Sequence, residues 1–367
     1  MSSVFLVTGF ASVTSAGVQR SLPETGPAIP PRLITQWPTP GPRRACLVPP
    51  FRVTDVVPGL RVRRMDRLSV WALVSGSLVF QAARIDPSAV DANRTGIVFG
   101  SALGCLDRTQ EFLAAVAQNS AKADPILFPE TLPNLVAGHA ARNFGVRGPN
   151  LTVMGGTISG ETALIEAAAI LTAGAADRIL VLAGDCLTRP LYEYYEAAGV
   201  LDPACFGADP PDVAPERRHR VPGEGLVACL LETEESAATR NPQILGRYLG
   251  GWIGAVDPRE RRRAGEGESL PGPFTIDGPA LFESAADRTD AETWLAPGVE
   301  GPSVIAAAGC LLARGSHVGV FGGVGLWNVG EALARARMAT TDTILATNVD
   351  ACRTQAAAIL VAGEASS

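Results

Sequence analysis

Residues 148–161 read GPNLTVMGGTISGE, and this stretch decides the fold. After a Gly-Pro turn, Leu151-Thr152-Val153 is short, apolar and β-branched, which predicts a buried strand. Gly155-Gly156 then bends the chain, and the apolar run at 163–173 predicts a buried helix. Strand, glycine bend and helix together form an elbow of the kind that lifts a side chain onto a helix N-terminus. Thr157 stands at that point.

Strand and helix patterns alternate on both sides of this elbow. Two such sets predict an α/β protein with two similar halves, at 1–242 and 243–367, and a proline-rich surface excursion at 21–64. Residues 11–20 are a polar and apolar mixture that predicts a loop and a short helix. Further strands are predicted at 4–7, 95–101, 178–184, 224–232, 343–347 and 356–361, and further helices at 65–83, 108–118, 132–144 and 303–313.

The composition and charge of the chain argue against several classes of function. Of the 367 residues, 47% are apolar and 19% are charged, which suits several buried layers. The net charge of −6 and the absence of a basic stripe argue against nucleic-acid binding. No uninterrupted apolar run has the length of a membrane span, and residues 4–7 suggest a first strand without a charged leader, so we expect a cytoplasmic protein.

Cysteine and histidine usage gives no sign of a metal centre. The number of cysteines, seven, is odd, and none has CxxC spacing, which is typical of reduced, buried thiols. The three histidines have no helical metal spacing, so we expect neither a metal nor a cofactor. His139 is interpreted as an ordinary core or surface histidine, and Cys105, after the strand at 95–101, either lines a pocket or is simply buried.

Several motifs resemble the β-ketoacyl synthases of the thiolase superfamily when they are taken in order. They are RRMDRLS from Arg63, FPETLPNLVAGHAA at 128–141, the elbow itself, VLAGDCLTRP from Val181 and GEGLVACLLE from Gly223. The resemblance implies the thiolase fold, five layers αβαβα built from two similar halves. It also implies a dimer interface and tunnel wall that include Leu151, Thr152, Val153, Met154 and Cys105.

The same resemblance implies that the condensing machinery is lost. The family uses a cysteine nucleophile and two histidines, and Thr157 occupies the cysteine position. The first histidine position is filled by Asp277, or by Leu281 in another register, and the second by Val299. Phe321-Gly322-Gly323 lies too far upstream for the family's Gly-Phe-Gly-Gly gate and is interpreted as a plain turn. The altered gate is assigned to Asp350, Ala351 and Cys352.

We therefore expect a non-catalytic subunit that resembles the chain-length factor of a type II polyketide synthase. Its partners would be an active ketosynthase, in a heterodimer, and an acyl carrier protein that carries the growing polyketide or polyene chain. Two alternatives stay open. One is a thiolase-fold acyltransferase that uses Thr157 or a cysteine. The other is a homodimeric scaffold for an acyl carrier protein, which Arg20, Arg43, Arg44 and Arg63 could contact.

Overall fold

The computed structural model describes residues 4–23, 29–62, 65–206, 221–255, 305–306, 322–338, 343–349 and 355–363. The strands are β1 (Phe5–Thr14), β2 (Gly17–Gln19), β3 (Arg32–Leu33), β4 (Arg44–Ala45), β5 (Thr95–Ser101), β6 (Asn150–Met154), β7 (Arg178–Asp185), β8 (Gly225–Glu232), β9 (Gly246–Ala255), β10 (Ile305–Ala306), β11 (Thr343–Val349) and β12 (Gln355–Gly363). The α-helices are α1 (Val53–Val56), α2 (Arg67–Ala82), α3 (Leu106–Gln118), α4 (Leu135–Phe144), α5 (Ser159–Thr172), α6 (Arg189–Ala197), α7 (Glu234–Ala238) and α8 (Val324–Met338).

Within these ranges a mixed sheet runs through both parts of the chain. Its strand order is β10-β11-β12-β9-β1-β8-β7-β5-β6, and β2 pairs with β1. β1 lies in the middle, antiparallel to β8 on one side and to β9 on the other. β5 is parallel to both β6 and β7, which leaves β6 at the edge. The division of the chain near residue 242 stays a prediction.

Two apolar clusters on opposite faces of the first-half strands build the layers. In β7, Ile179, Val181 and Ala183 join the cluster that contains α5 and α8. The alternate residues, Leu180 and Leu182, join the cluster that contains α2 and α4. A strand buried on both faces favours apolar side chains at successive positions, which explains the continuous run ILVLAG at 179–184. α5 and α8 also contact β12, so these two helices pack against strands from both parts of the same sheet.

Two sequence predictions are wrong. Residues 11–20 contain no helix: β1 continues to Thr14 and turns back into β2, with Gly17 at φ +89°. Glycine adopts this left-handed conformation without the strain that a side chain would add. The predicted helix at 303–313 is contradicted at Ile305–Ala306, which form β10 and pair in parallel with β11.

The proline-rich excursion has a small apolar core of its own. The β3–β4 hairpin and the neighbouring segment bring Ile34 and Leu47 against Tyr192 of α6 and against Phe206. Arg43 joins the same contact, because its guanidinium lies 4.9 Å above the Phe206 ring and pairs with Glu196. The excursion is therefore anchored to the first half rather than extended as a linker.

Candidate functional site

The elbow places Thr157 between an edge strand and a buried helix. β6 ends at Met154, Gly156 adopts φ +59°, and the 3-10 turn Gly156–Ile158 leads directly into α5. The Ser159 hydroxyl closes the turn: its Oγ donates to the Gly156 carbonyl at 2.6 Å and accepts from the Gly155 N–H at 3.0 Å. Thr157 is 7% exposed, so little of this residue is accessible to solvent.

Helices α5 and α8 approach each other so closely beside the elbow that only glycine fits at the contact. A Cβ on Gly160 would lie 2.6 Å from the backbone nitrogen of Leu326. Across the contact, Gly325 lies against the buried carboxylate of Glu161. Gly325 is in the first turn of α8, where the helix dipole favours a negative charge. The N-terminal turns of α5 and α8 therefore pack directly against each other.

Asp185, at the end of β7, is a buried carboxylate that joins distant parts of the chain. Its Oδ1 accepts from the Ser101 hydroxyl at 2.5 Å and from the Leu103 N–H at 2.9 Å, and its Oδ2 accepts from the Gly322 N–H at 2.5 Å. Burial raises the pKa of the Asp185 carboxyl, and these hydrogen bonds oppose that rise. The carboxylate fixes the end of β5 and the turn that leads into α8.

Sequence reasoning missed Asp185, Glu161 and the contact of the Gly322-Gly323 turn with Asp185. A single acidic residue at the end of an otherwise apolar strand was the available signal for Asp185. Gly322-Gly323 forms a turn, as predicted, but it also begins the helix that packs on the elbow. Asp277, Leu281, Val299, Asp350, Ala351 and Cys352 lie outside the described residues.

Cys105 immediately precedes α3 and is buried, with its Sγ 3.6 Å from the Leu132 carbonyl oxygen. Burial is the largest cause that raises the pKa of the Cys105 thiol, and nearby carboxylates raise it further. Burial also raises the pKa of Cys46 to about 11, and the pKa values of Cys205 and Cys229 to about 12. A raised pKa disfavours the thiolate, which is the nucleophilic form.

We therefore expect iodoacetamide at neutral pH to leave the five described cysteines of the native protein unmodified. They are Cys46, Cys105, Cys186, Cys205 and Cys229. Peptide mass mapping checks this, and alkylation of the same peptides in urea is the internal control. Rapid native alkylation of Cys105 would contradict the interpretation of this thiol as buried and unreactive.

β6 presents the four residues expected at an interface. Leu151 and Val153 are partly buried against the core, while Met154 is 51% exposed. The Oγ1 of Thr152 is buried without a hydrogen-bond partner. Since β6 pairs only with β5 among the described strands, its other edge offers backbone donors and acceptors to a further strand.

Apolar side chains are also exposed along α3 and the segment that follows it. No residue of α3 is fully buried, and Leu113, Ile126 and Phe128 are exposed. The rings of Phe112 and Phe128 lie 5.6 Å apart, so the patch is continuous there. Contiguous exposed apolar surface of this kind is typical of a surface that contacts another molecule.

The four arginines that could contact an acyl carrier protein differ in their present partners and exposure. Arg43 pairs with Glu196 at 2.6 Å, and Arg20 donates to the Val56 carbonyl at 2.9 Å. Arg44 is exposed, whereas Arg63 lies outside the described residues. No described helix is long and apolar enough to cross a bilayer.

The chain belongs to the β-ketoacyl synthase family, whose N-terminal domain matches residues 46–237. It is 26% identical over 215 residues to the 3-oxoacyl-[acyl-carrier-protein] synthase 2 of Vibrio harveyi, covering 57% of this chain and 51% of that protein. It is 28% identical over 199 residues to nodulation protein E of Rhizobium leguminosarum bv. trifolii, covering 53% and 48%. The chain thus matches about half the length of these curated relatives.

Solved structures align over nearly the full length. The ishigamide ketosynthase/chain length factor has a TM-score of 0.62 at 21% identity, covering 98% of this chain and 99% of that one. The type II polyketide ketosynthase AntDE in complex with its acyl-carrier protein AntF has a TM-score of 0.66 at 14% identity, covering 99% and 100%. A β-ketoacyl synthase from Burkholderia phymatum STM815 gives 0.67 at 15% identity, covering 99% of both chains. The thiolase-type fold expected from the sequence is confirmed.

Proposed function

We propose that this chain is a catalytically silent ketosynthase-like subunit. It pairs with an active ketosynthase along β6 and shapes the wall of that partner's acyl tunnel. The observation that carries the proposal is the elbow itself, which places Thr157 directly after the edge strand β6, and we assign Thr157 to the position of the family's nucleophile. A strand with an unpaired edge is completed by a second subunit, and a two-fold arrangement of two such edges would continue the sheet.

The chemistry around the elbow supports a silent role. A threonine hydroxyl is a poor nucleophile unless a base lies beside it. Among the described residues the one histidine, His139, is on α4 and lies near Glu130. The described thiols are buried, and those of Cys46, Cys105, Cys186, Cys205 and Cys229 all have raised pKa values.

Two of the similar structures suggest the partners. One is titled a ketosynthase/chain length factor, and the other is a type II polyketide ketosynthase in complex with its acyl-carrier protein. We therefore assign an active ketosynthase and an acyl carrier protein as the partners of this chain, in the synthesis of a polyketide or polyene. The exposed apolar patch on α3 and after it would be covered in the complex.

Co-expression with a ketosynthase encoded beside it tests this function. We expect the two chains to elute together as a heterodimer in size-exclusion chromatography with light scattering. After incubation with acyl thioesters, intact mass spectrometry should show an adduct on the ketosynthase and none on this chain. A monomer, a homodimer that ignores the ketosynthase, or an acyl adduct on Thr157 would refute the proposal.

Met154→Asp is expected to weaken pairing with the ketosynthase by at least about tenfold, because it puts a charge on an apolar interface position. The matched control is Leu33→Asp, since Leu33 is 52% exposed and lies on the separate β3–β4 hairpin. Titration of labelled subunits gives both dissociation constants. Equal weakening by the two changes would place the interface elsewhere.

A further inference from the structure

Three potential metal ligands from different elements meet beside α2. Asp66 precedes the first turn of α2, Glu130 lies in the 3-10 turn Pro129–Thr131, and His139 is on α4. One ligand atom from each lies within 4.8 Å of the others. Asp66 is only 1% exposed, and the other two side chains are mostly buried.

Two polar atoms of this cluster are buried without a hydrogen-bond partner. They are the Nε2 of His139 and the Oε2 of Glu130. The nearest approach between these two residues, from His139 Nε2 to Glu130 Oε1, is 3.7 Å, which is too long for a hydrogen bond. An unmade buried hydrogen bond costs about 1–3 kcal/mol, so a bound species that contacts both atoms would stabilise the cluster.

Asp66 is held in place independently of such a component. Its Oδ1 accepts from the Ser69 N–H at 2.9 Å and its Oδ2 accepts from the Ser69 hydroxyl at 2.5 Å, which caps α2. Each carboxylate oxygen has a second lone pair, so Asp66 can bind a cation without giving up the cap. The hydrogen bonds from Ser69 would orient it as partners of metal ligands commonly do.

We propose that Asp66, Glu130 and His139 form a binding site for a divalent transition-metal cation, with Zn²⁺ as its probe. Two carboxylates balance the charge of such an ion, and imidazole nitrogen and carboxylate oxygen are both established ligands of Zn²⁺. Two ligands on a tetrahedral Zn²⁺ with bonds of about 2.1 Å lie about 3.4 Å apart. The 3.7 Å between His139 Nε2 and Glu130 Oε1 is close to that separation.

The ion would tie the segment after α3 to the body of the protein. Glu130 follows the exposed Ile126 and Phe128, while Asp66 and His139 lie on helices that pack against each other. Binding would therefore order the apolar patch without a role in acyl chemistry. The site was missed in the sequence because its ligands come from three separate segments rather than from one spaced motif.

Calorimetric titration of the full chain with Zn²⁺, after chelation and without a histidine tag, tests the site. We expect about one equivalent to bind and to raise the melting temperature. His139→Gln and Glu130→Gln should each weaken binding at least about tenfold. The matched control Glu111→Gln, which changes an exposed carboxylate on α3, should leave it unchanged. Two variants on different elements keep the test informative if one fails to fold.

A Co²⁺ spectrum separates this site from binding to thiols. We expect d–d bands without a sulfur-to-cobalt charge-transfer band, and we expect His139→Gln to remove them. Failure of the stripped wild type to bind, binding that survives His139→Gln, or a charge-transfer band that disappears in Cys105→Ser would each overturn the proposal. A His139→Gln protein that is destabilised while the wild type binds no metal would indicate a direct His139–Glu130 ion pair instead.

Discussion

Gly160→Ala is expected to lower the free energy of unfolding by about 3 kcal/mol, because α5 and α8 are in close contact at this position. The added methyl would lie 2.6 Å from the backbone nitrogen of Leu326, so a flexible side chain cannot relieve the clash by moving aside. One of the two helices must shift, and the elbow at Thr157 shifts with it. Urea unfolding followed by circular dichroism measures the loss.

Gly138→Ala is the matched control, because Gly138 is also a helical glycine but has no atom near the position of a Cβ. Alanine there is expected to stabilise the protein by about 0.5–1 kcal/mol through helix propensity. The two identical substitutions should thus move stability in opposite directions. A Gly160→Ala protein as stable as the wild type would show that α8 does not pack on the elbow in this way.

Asp185→Asn is expected to lower the free energy of unfolding by about 3 kcal/mol or more. The carboxylate accepts from Ser101, Ala102, Leu103 and Gly322, whereas a carboxamide has one acceptor oxygen and turns its N–H groups toward backbone donors. Each buried donor left unpaired costs about 1–3 kcal/mol. Thermal and urea unfolding measure the effect.

Asp86→Asn provides the comparison for this change. Asp86 is exposed and accepts from the backbone N–H and the hydroxyl of Ser88. Asparagine can make the same turn, so Asp86→Asn should change the free energy of unfolding of the protein by less than about 0.5 kcal/mol. If Asp185→Asn were equally mild, the four donors that reach Asp185 would not hold the end of β5 and the start of α8 together.

Local pattern was enough to predict the longer buried strands and several helices of the first half. The run TGIVFGS predicts a buried strand at 95–101. β5 has the same bounds, and every position in it is buried. The hairpin of β1 and β2 was missed because its turn depends on the left-handed Gly17 and on pairing with β8, which is distant in sequence. At Ile305–Ala306, pairing with β11 overrides an apolar pattern that suits a helix equally well.

The candidate sites also divide into features set by consecutive residues, which the sequence predicts, and contacts between distant segments, which it does not. Strand, bend and helix follow one another at the elbow, so Thr157 could be placed from consecutive residues. The hydrogen bond from Gly322 to Asp185 joins residues 137 positions apart, and no spacing rule reaches that far. The cluster of Asp66, Glu130 and His139 likewise arises only when α2 and α4 have packed.

The central position of β1 bears on how the chain is made. β1 is early in the sequence, yet apart from β2 its neighbours in the sheet are β8 and β9, at Gly225–Glu232 and Gly246–Ala255. A ribosome must therefore release more than two hundred further residues before this wholly buried strand finds its partners. During that interval a strand that pairs only with β2, at its C-terminal end, is exposed to other nascent chains. Synthesis of this protein should depend on chaperones that hold β1 until β8 has emerged.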